Sequence, residues 1–285
     1  MQNMLERILV FLKKLLIIIY NFLKKVVIFT FIFLKKLIFE EKKEGEDSNG
    51  LWDTVKNVLI ALVLALVIRS FLYEPFHIPS GSMKPNLKEG DFIFVSKYDY
   101  GYSRYSFPFG FPIFNGRIFF KNKPVRGDVL VFRLPSNPSI NYIKRLIGLP
   151  GDKIQMKNGV LYVNGNEVPK KYIEEVLEYD NDPSSKVKEY REILDNGKEV
   201  IVLDKIKNGN GDNTAVFTVP EKHYFFLGDN RDNSLDSRFR ETGFIPEENL
   251  IGKARIIFFS SSENPLKFWK WGKIIRTNRI FKTIE

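Results

Sequence analysis

The sequence contains no cysteine, and only two of its 285 residues are histidine, His77 and His223. The lack of cysteine excludes a disulfide framework, a cysteine nucleophile and thiolate metal sites. Two histidines are too few for a multi-histidine metal centre, and we expect neither a metal nor a cofactor. Length is not limiting, because a chain of this size can form one substantial domain with anchoring segments.

The excess of positive charge, +10 overall, is concentrated near the two ends of the chain. Residues 1–73 carry 11 basic and 7 acidic groups, and residues 262–285 carry 6 and 2. Nucleic-acid-binding proteins usually spread basic residues over the folded domain, whereas these cations flank apolar segments. The distribution favours membrane lipids as a partner and argues against nucleic acid.

Residues 1–39 form an apolar segment that Phe-Leu-Lys-Lys interrupts three times, at 11–14, 22–25 and 33–36. Because this period of 11 residues is close to three helical turns, it predicts a helix with one cationic stripe. The apolar runs are too short to cross a bilayer of about 30 Å. A helix lying in the membrane interface is predicted, and a span with snorkelling lysines is the alternative.

Residues 40–55 are charged and contain glycine, which is typical of an exposed linker. Residues 56–73 contain the uninterrupted apolar run 58–68 between Lys56 and Arg69, which predicts a transmembrane anchor. The run is shorter than the ~20 residues that a span usually needs. A buried helix of a soluble domain is therefore the alternative.

Residues 74–260 consist of short β-branched and aromatic runs separated by glycine, proline and asparagine, which predicts a mostly β, antiparallel domain. Strands do not alternate with helices, which excludes a doubly wound fold. Within this domain, residues 170–222 are more polar and predict an excursion from the core. The predicted strands are 91–96, 128–133, 142–147, 159–163, 200–203, 224–227 and 251–259.

The tail, residues 261–285, interleaves aromatic and basic side chains. This pattern suits a membrane interface, and it suits a C-terminal helix packed on the domain equally well.

A candidate nucleophile lies just beyond the predicted anchor, in Ile-Pro-Ser-Gly-Ser-Met-Lys-Pro at 78–85. The prolines fix an extended path and Gly81 allows a sharp turn, so Ser82 can be presented at the membrane surface. Ser-Gly-Ser is also ordinary loop composition. No Gly-x-Ser-x-Gly surrounds this serine, and a Ser-x-x-Lys motif ending at Lys84 would need serine where Gly81 stands.

His77 lies only five residues before Ser82 and His223 has no elbow motif nearby, so both histidines are interpreted as structural and a lysine is the candidate base. Lys144 lies in the predicted strand 142–147, where alternation places it on one face with Tyr142 and Leu146. A lysine that points inward is desolvated, and its neutral amine is then populated near neutral pH. A solvent-facing lysine on a half-buried strand is the alternative.

A third polar segment, Gly-Asp-Asn-Arg-Asp-Asn-Ser-Leu-Asp-Ser-Arg, occupies 228–238. It does not fit a calcium loop counted from Asp232, because the sixth residue is serine and the twelfth is glycine where glutamate is needed. Asp236 and Arg238 can form an ion pair that supports a site, or a plain surface pair.

Taken together and in this order, the segments resemble bacterial type I signal peptidases. The resemblance extends from about residue 56 to about residue 259 and rests on four blocks, at 78–85, 126–132, 142–152 and 228–238. It implies a membrane-bound serine endopeptidase with a Ser/Lys dyad. Such an enzyme removes signal peptides from exported preproteins at small-x-small sites, and its catalytic domain lies on the outer, periplasmic face of the cytoplasmic membrane. We expect a monomer.

The resemblance also implies roles for individual residues. Ser82 matches the nucleophile and Lys144 the general base, while the Ser80 hydroxyl joins the Ser82 N–H in binding the oxyanion. Ser234 matches a hydroxyl that orients the lysine amine. The remaining matches are the supporting pair Asp236 and Arg238, the neighbour Tyr142, and the pocket residues for positions −1 and −3 of the signal peptide, Phe76, Ile78, Met83 and Ile143.

One departure concerns the N-terminus, because many Gram-negative relatives have two clear transmembrane helices and lysine pairs interrupt the first one here. Three other functions are compatible with parts of the sequence. A self-cleaving repressor protease shares the scaffold but carries a DNA-binding module, whereas this N-terminus is membrane-like. A non-catalytic membrane-tethered module predicts loss of Ser82 or Lys144, and both are present. A cationic membrane-surface scaffold leaves the four blocks unexplained.

Overall fold

The computed structural model describes residues 50–107, 110, 116–118, 122–178, 182 and 184–285. The predicted N-terminal segment 1–39 and most of the linker lie outside these residues. The chain divides into two compact units, 1–65 and 66–285. Of the first unit, the structure describes residues 50–65, which are helical throughout.

A single long helix, α1 (Gly50–Phe71), occupies the position of the predicted anchor. It begins six residues before residue 56, because residues 51–55 contain no glycine or proline that would break a helix. Its window Thr54–Phe71 has a mean hydropathy of 1.9, which is apolar and long enough to cross a membrane, and only 6% of the window is buried. Such low burial argues against a core helix of a soluble domain.

The second unit is built from sixteen strands within the described residues, and all pairings between these strands are antiparallel. The prediction of a mostly β, antiparallel fold is confirmed, and each predicted strand overlaps an observed one. The strands are β1 (Tyr73–His77), β2 (Asp91–Ser96), β3 (Tyr102–Ser103), β4 (Arg117–Ile118), β5 (Val129–Leu134), β6 (Asn137–Gly148), β7 (Lys153–Lys157), β8 (Val160–Val163), β9 (Asn166–Glu167), β10 (Lys170–Leu177), β11 (Lys186–Ile193), β12 (Glu199–Asp204), β13 (Phe217–Thr218), β14 (His223–Leu227), β15 (Ile245–Pro246) and β16 (Leu250–Ser260).

The main sheet has seven strands in the order β1-β2-β16-β5-β6-β14-β15. Strand β6, which contains Lys144, lies inside this sheet, paired with β5 on one side and β14 on the other. Two smaller sheets have the orders β10-β11-β12 and β13-β7-β8-β9, and β3 pairs with β4.

The polar segment 170–222 does not leave the core entirely. Its strand β12 buries Val200 and Val202, which pack in one apolar cluster with Ile147 of β6 and Phe225 of β14. The segment therefore rests on the main sheet, because the alternate residues of β12 are apolar and need a partner surface.

The tail forms only a short helix and otherwise pairs with residues in or next to β16 of the main sheet. Its helix α2 (Trp271–Ile274) has only four residues. Beyond it the chain forms antiparallel bridges from Ile275 to Ser261 and from Thr283 to Ile256 of β16. The tail's Arg279 is buried and binds the carboxylate of Asp91 in β2.

Candidate active site

The segment 78–85 follows β1 and turns sharply at a 3₁₀ turn, Gly81–Met83. The Lys84 N–H donates to the Gly81 carbonyl oxygen across 3.1 Å and closes this turn. Ser82 lies at its centre and is only 7% exposed. The turn therefore presents the Ser82 hydroxyl toward the protein interior, not to bulk water.

Lys144 comes from the middle of β6 and is 5% exposed. Its Nζ lies 2.7 Å from Ser82 Oγ and 3.1 Å from the Ile143 carbonyl oxygen. It also lies 5.1 Å from the centre of the Tyr142 ring, on the face that strand alternation predicts. The two residues are 62 positions apart in the sequence, and the turn at Ser82 against β6 brings them into contact.

Burial lowers the pKa of the Lys144 amine to about 8, although the nearby carboxylates of Asp236 and Asp229 act in the opposite direction. The physical cause is desolvation, which disfavours the charged ammonium. A neutral amine beside a serine hydroxyl can accept its proton. The arrangement is therefore suited to activating a serine nucleophile.

We expect kcat/KM for peptide cleavage to rise as the pH increases through about 8 and then to level off, following deprotonation of Lys144. The sign follows from the lowered pKa: below it the ammonium cannot accept a proton, and above it the amine can. Initial rates at low substrate concentration, measured between about pH 6 and about pH 10, follow this transition. A rate that rises only near 10.5, the ordinary value for lysine, would contradict a desolvated base.

The other lysine near the nucleophile, Lys84, is turned away from it. Lys84 Nζ donates to the Glu178 carbonyl oxygen across 2.9 Å and lies 3.6 Å from Glu89 Oε2. Among the described residues, only Lys144 hydrogen-bonds to Ser82 Oγ. The structure thus separates the two lysines, because the Lys144 amine contacts Ser82 Oγ and the Lys84 amine has other partners.

Asp236 and Arg238 form a buried ion pair, not a surface pair. Arg238 Nε and Nη2 each lie 2.9 Å from one oxygen of the Asp236 carboxylate, which is completely buried. The same carboxylate accepts the Gly228 N–H at 2.9 Å. The pair therefore stiffens the loop 228–238 beside Ser82.

Gly228 lies where two backbones approach closely. A Cβ atom at this position would lie 2.6 Å from the Ser82 carbonyl oxygen and closer still to the Ser234 hydroxyl. The Ser234 hydroxyl is buried and has no hydrogen-bond partner among the described residues. Ser80 is exposed, and its side chain does not cap the 3₁₀ turn. The roles expected of these two serines stay predictions.

The four residues predicted to line the pockets belong to one apolar cluster. Ile78 and Met83 are buried within it, and Phe76 and Ile143 pack against it and are half-buried. Met83 directly follows Ser82 in the 3₁₀ turn, so the cluster is continuous with the turn that carries Ser82.

Two buried ion pairs near the site were not predicted. Arg145 binds both carboxylate oxygens of Asp229 at 2.8 Å, and Arg231 binds both oxygens of Glu192. Asp229 and Arg231 lie inside the polar segment 228–238. Their partners lie 84 and 39 residues away, and no local pattern marks them.

Comparisons with known proteins show which family the chain belongs to. The sequence profile of the family described as "Signal peptidase, peptidase S26" matches residues 51–259, which is more than half of the chain. The chain is 45% identical over 242 residues to a signal peptidase I of Rickettsia typhi, covering 78% of this chain and 90% of the relative. The protein of the same name from Rickettsia conorii is 44% identical over 242 residues, covering 78% and 89%. A crystal structure of a signal peptidase I from Enterococcus faecalis is 28% identical and covers 46% of this chain and 97% of its own, with a TM-score of 0.28.

These matches and the antiparallel β fold define a hydrolase of the serine endopeptidase class. The chain belongs to the signal peptidase family, peptidase S26.

Proposed function

We propose that this peptidase is membrane-bound and removes signal peptides from exported preproteins, with Ser82 as nucleophile and Lys144 as general base. The observation that carries the proposal is the 2.7 Å contact between two buried groups, Ser82 Oγ and Lys144 Nζ. A lysine whose pKa is lowered to about 8 can serve as a base without a histidine.

In the acylation step, Ser82 Oγ attacks the carbonyl carbon of the scissile peptide while its proton passes to Lys144 Nζ. The tetrahedral intermediate then collapses as the C–N bond breaks, and the Lys144 ammonium returns the proton to the leaving amine. In the second half, water attacks the acyl carbon and gives its proton to Lys144; the bond from that carbon to Ser82 Oγ then breaks, and Lys144 returns the proton to Ser82 Oγ. Both halves need the amine to be neutral at their start.

The oxyanion is bound by the Ser82 N–H and the Ser80 hydroxyl. A donor in such a position is worth about 3 kcal/mol in the transition state. The Ser234 hydroxyl is buried and has no hydrogen-bond partner among the described residues, so it is available to orient the Lys144 amine. Asp236 and Arg238 hold the loop that carries Ser234, and the Tyr142 ring excludes water from one side of the lysine.

The signal peptide binds as an added extended strand, with the side chains at −1 and −3 directed toward the apolar cluster at Phe76, Ile78, Met83 and Ile143. Since Ile78 and Met83 are already buried, little space is left and only small side chains fit. One methylene changes binding by about 1–3 kcal/mol in such a site.

Helix α1 anchors the enzyme in the cytoplasmic membrane, whose lipids are its second class of partner. Lys42, Lys43 and Lys56 precede the apolar run, so the positive-inside rule places that end in the cytoplasm and the catalytic domain on the outer, periplasmic face. Neither nucleic acid nor a second copy of the chain takes part in the proposed reaction.

Cleavage of matched preproteins in detergent by the full chain tests this function. With alanine at −3 and −1, we expect a single cut after −1, identified by the mass of the product. Leucine at −1 should slow this cut by about 10- to 200-fold, because the pocket has no space for it. Leucine at −2 is the matched control and should have little effect, since alternate residues of a strand face opposite sides. Equal cleavage of all three would contradict the small-x-small specificity.

A further inference from the structure

Glu178 connects the polar segment 170–222 to the nucleophile turn. It is the first residue after β10 and is 8% exposed. Its N–H donates to the Ser185 carbonyl oxygen at 2.8 Å, and its carbonyl oxygen accepts from Lys84 Nζ at 2.9 Å. The backbone of Glu178 is therefore held from both sides. One of its partners, Lys84, is two residues beyond Ser82.

The buried carboxylate of Glu178 holds two asparagine side chains of the loop 228–238. Its Oε1 accepts from Asn230 Nδ2 and from Asn233 Nδ2, both at 2.9 Å. A carboxylate can only accept, so it fixes which way each amide is turned. Hydrogen bonds to a charged acceptor are also stronger than neutral ones.

Asn230 in turn holds the carbonyl groups on both sides of Ser82. Its Nδ2 lies 3.2 Å from the Gly81 carbonyl oxygen, and its backbone N–H donates to the Ser82 carbonyl oxygen at 3.1 Å. One hydrogen of the Asn230 amide thus goes to Glu178 and the other to Gly81. Without Glu178, the amide has no charged acceptor to hold this orientation.

The Gly81 carbonyl and the Ser82 N–H belong to the same peptide unit. Because a trans peptide is planar, its C=O and N–H point in opposite directions, and fixing one fixes the other. The direction of the Gly81 carbonyl therefore sets the direction of the Ser82 N–H, which is the proposed oxyanion donor.

We infer that Glu178 is a positioning residue for catalysis: acting through Asn230 and Gly81, it aims the Ser82 N–H at the oxyanion. This inference rests on the proposed function of Ser82. It gives the polar segment a part in the reaction, although no residue of that segment that the structure describes hydrogen-bonds to Ser82 Oγ or Lys144 Nζ.

Steady-state cleavage of the alanine preprotein by the full chain in detergent tests the inference. Glu178→Ala should lower kcat by about 10- to 100-fold and leave KM within about twofold, because an oxyanion donor acts only in the transition state. Glu178→Gln keeps an acceptor oxygen at the same distance, so its kcat should return to within about threefold of wild type. Glu175→Ala removes an exposed carboxylate of the same strand and is the matched control, with no change expected.

A further readout and a substitute variant separate positioning from general destabilisation. The pH dependence of kcat/KM should keep its transition near 8 in Glu178→Ala, because the charges that act on Lys144 are those of Asp236 and Asp229. If Glu178→Ala does not fold, Glu178→Asp replaces it, since the shorter side chain withdraws the acceptor and predicts the same loss of kcat.

Unchanged kcat in Glu178→Ala, or a Gln variant as slow as the Ala variant, would overturn the inference while an active wild type leaves the proposed function intact. A wild type that cleaves no preprotein would instead count against the proposed function itself.

Discussion

Lys144→Met is expected to lower kcat/KM for preprotein cleavage on the order of 10⁴-fold while the protein stays folded. Methionine fills nearly the same volume but cannot accept the proton of Ser82, whose Oγ lies 2.7 Å from the lysine amine. Ser82→Ala should lose as much activity, because it removes the nucleophile. Single-turnover cleavage at excess enzyme measures both, with circular dichroism confirming the fold.

The matched control is Lys157→Met. Lys157 also lies on a strand, and its Nζ is 4.6 Å from the centre of the Tyr162 ring. Unlike Lys144, it is exposed and does not hydrogen-bond to Ser82. The activity of Lys157→Met should equal that of wild type.

Because nucleophile and base act as one unit, the double variant Ser82→Ala/Lys144→Met should be no slower than either single variant. Near-full activity of Lys144→Met would reject Lys144 as the base.

Arg238→Ala is expected to lower the free energy of unfolding by about 3–5 kcal/mol, because it leaves the completely buried Asp236 carboxylate without its charged partner. The loop 228–238 should loosen as well, so activity falls with stability. Urea unfolding of the full chain in detergent, followed by far-ultraviolet circular dichroism, measures the change.

An exposed pair supplies the control for this prediction. Arg191 Nη1 lies 3.3 Å from Glu199 Oε2, and both side chains are about half exposed. Arg191→Ala should change the free energy of unfolding by less than about 1 kcal/mol. If both variants lose the same stability, burial of the Asp236–Arg238 pair is not what stabilises the loop.

The strands could be predicted from the sequence because the apolar pattern and the turn residues are local signals. Strand β2 was predicted at its observed bounds, 91–96, and β6 contains the predicted strand 142–147. Alternation along β6 also predicted that Lys144 lies on the same face as Tyr142, whose ring centre is 5.1 Å from the amine. These predictions require only the geometry of one strand.

The interactions that complete the site could not be predicted in this way. Glu178 is one of several acidic residues in a polar segment, and nothing in its neighbours distinguishes it from Glu174 or Glu175. It hydrogen-bonds to Asn230, which is 52 residues away in the sequence. Such a contact depends on how the sheets are arranged, which local periodicity does not encode.

The sequence by itself determined the strand pattern, the apolar helix and the order of the four blocks, because these depend on spacing along the chain. The tertiary structure showed that Lys144 and not Lys84 contacts Ser82 Oγ, since the two lysines are equally buried but their amines point to different partners. It also decided that Asp236 and Arg238 are buried and that the tail pairs with β16. Burial and direction follow from packing between distant segments, and that packing sets the pKa on which a lysine base depends.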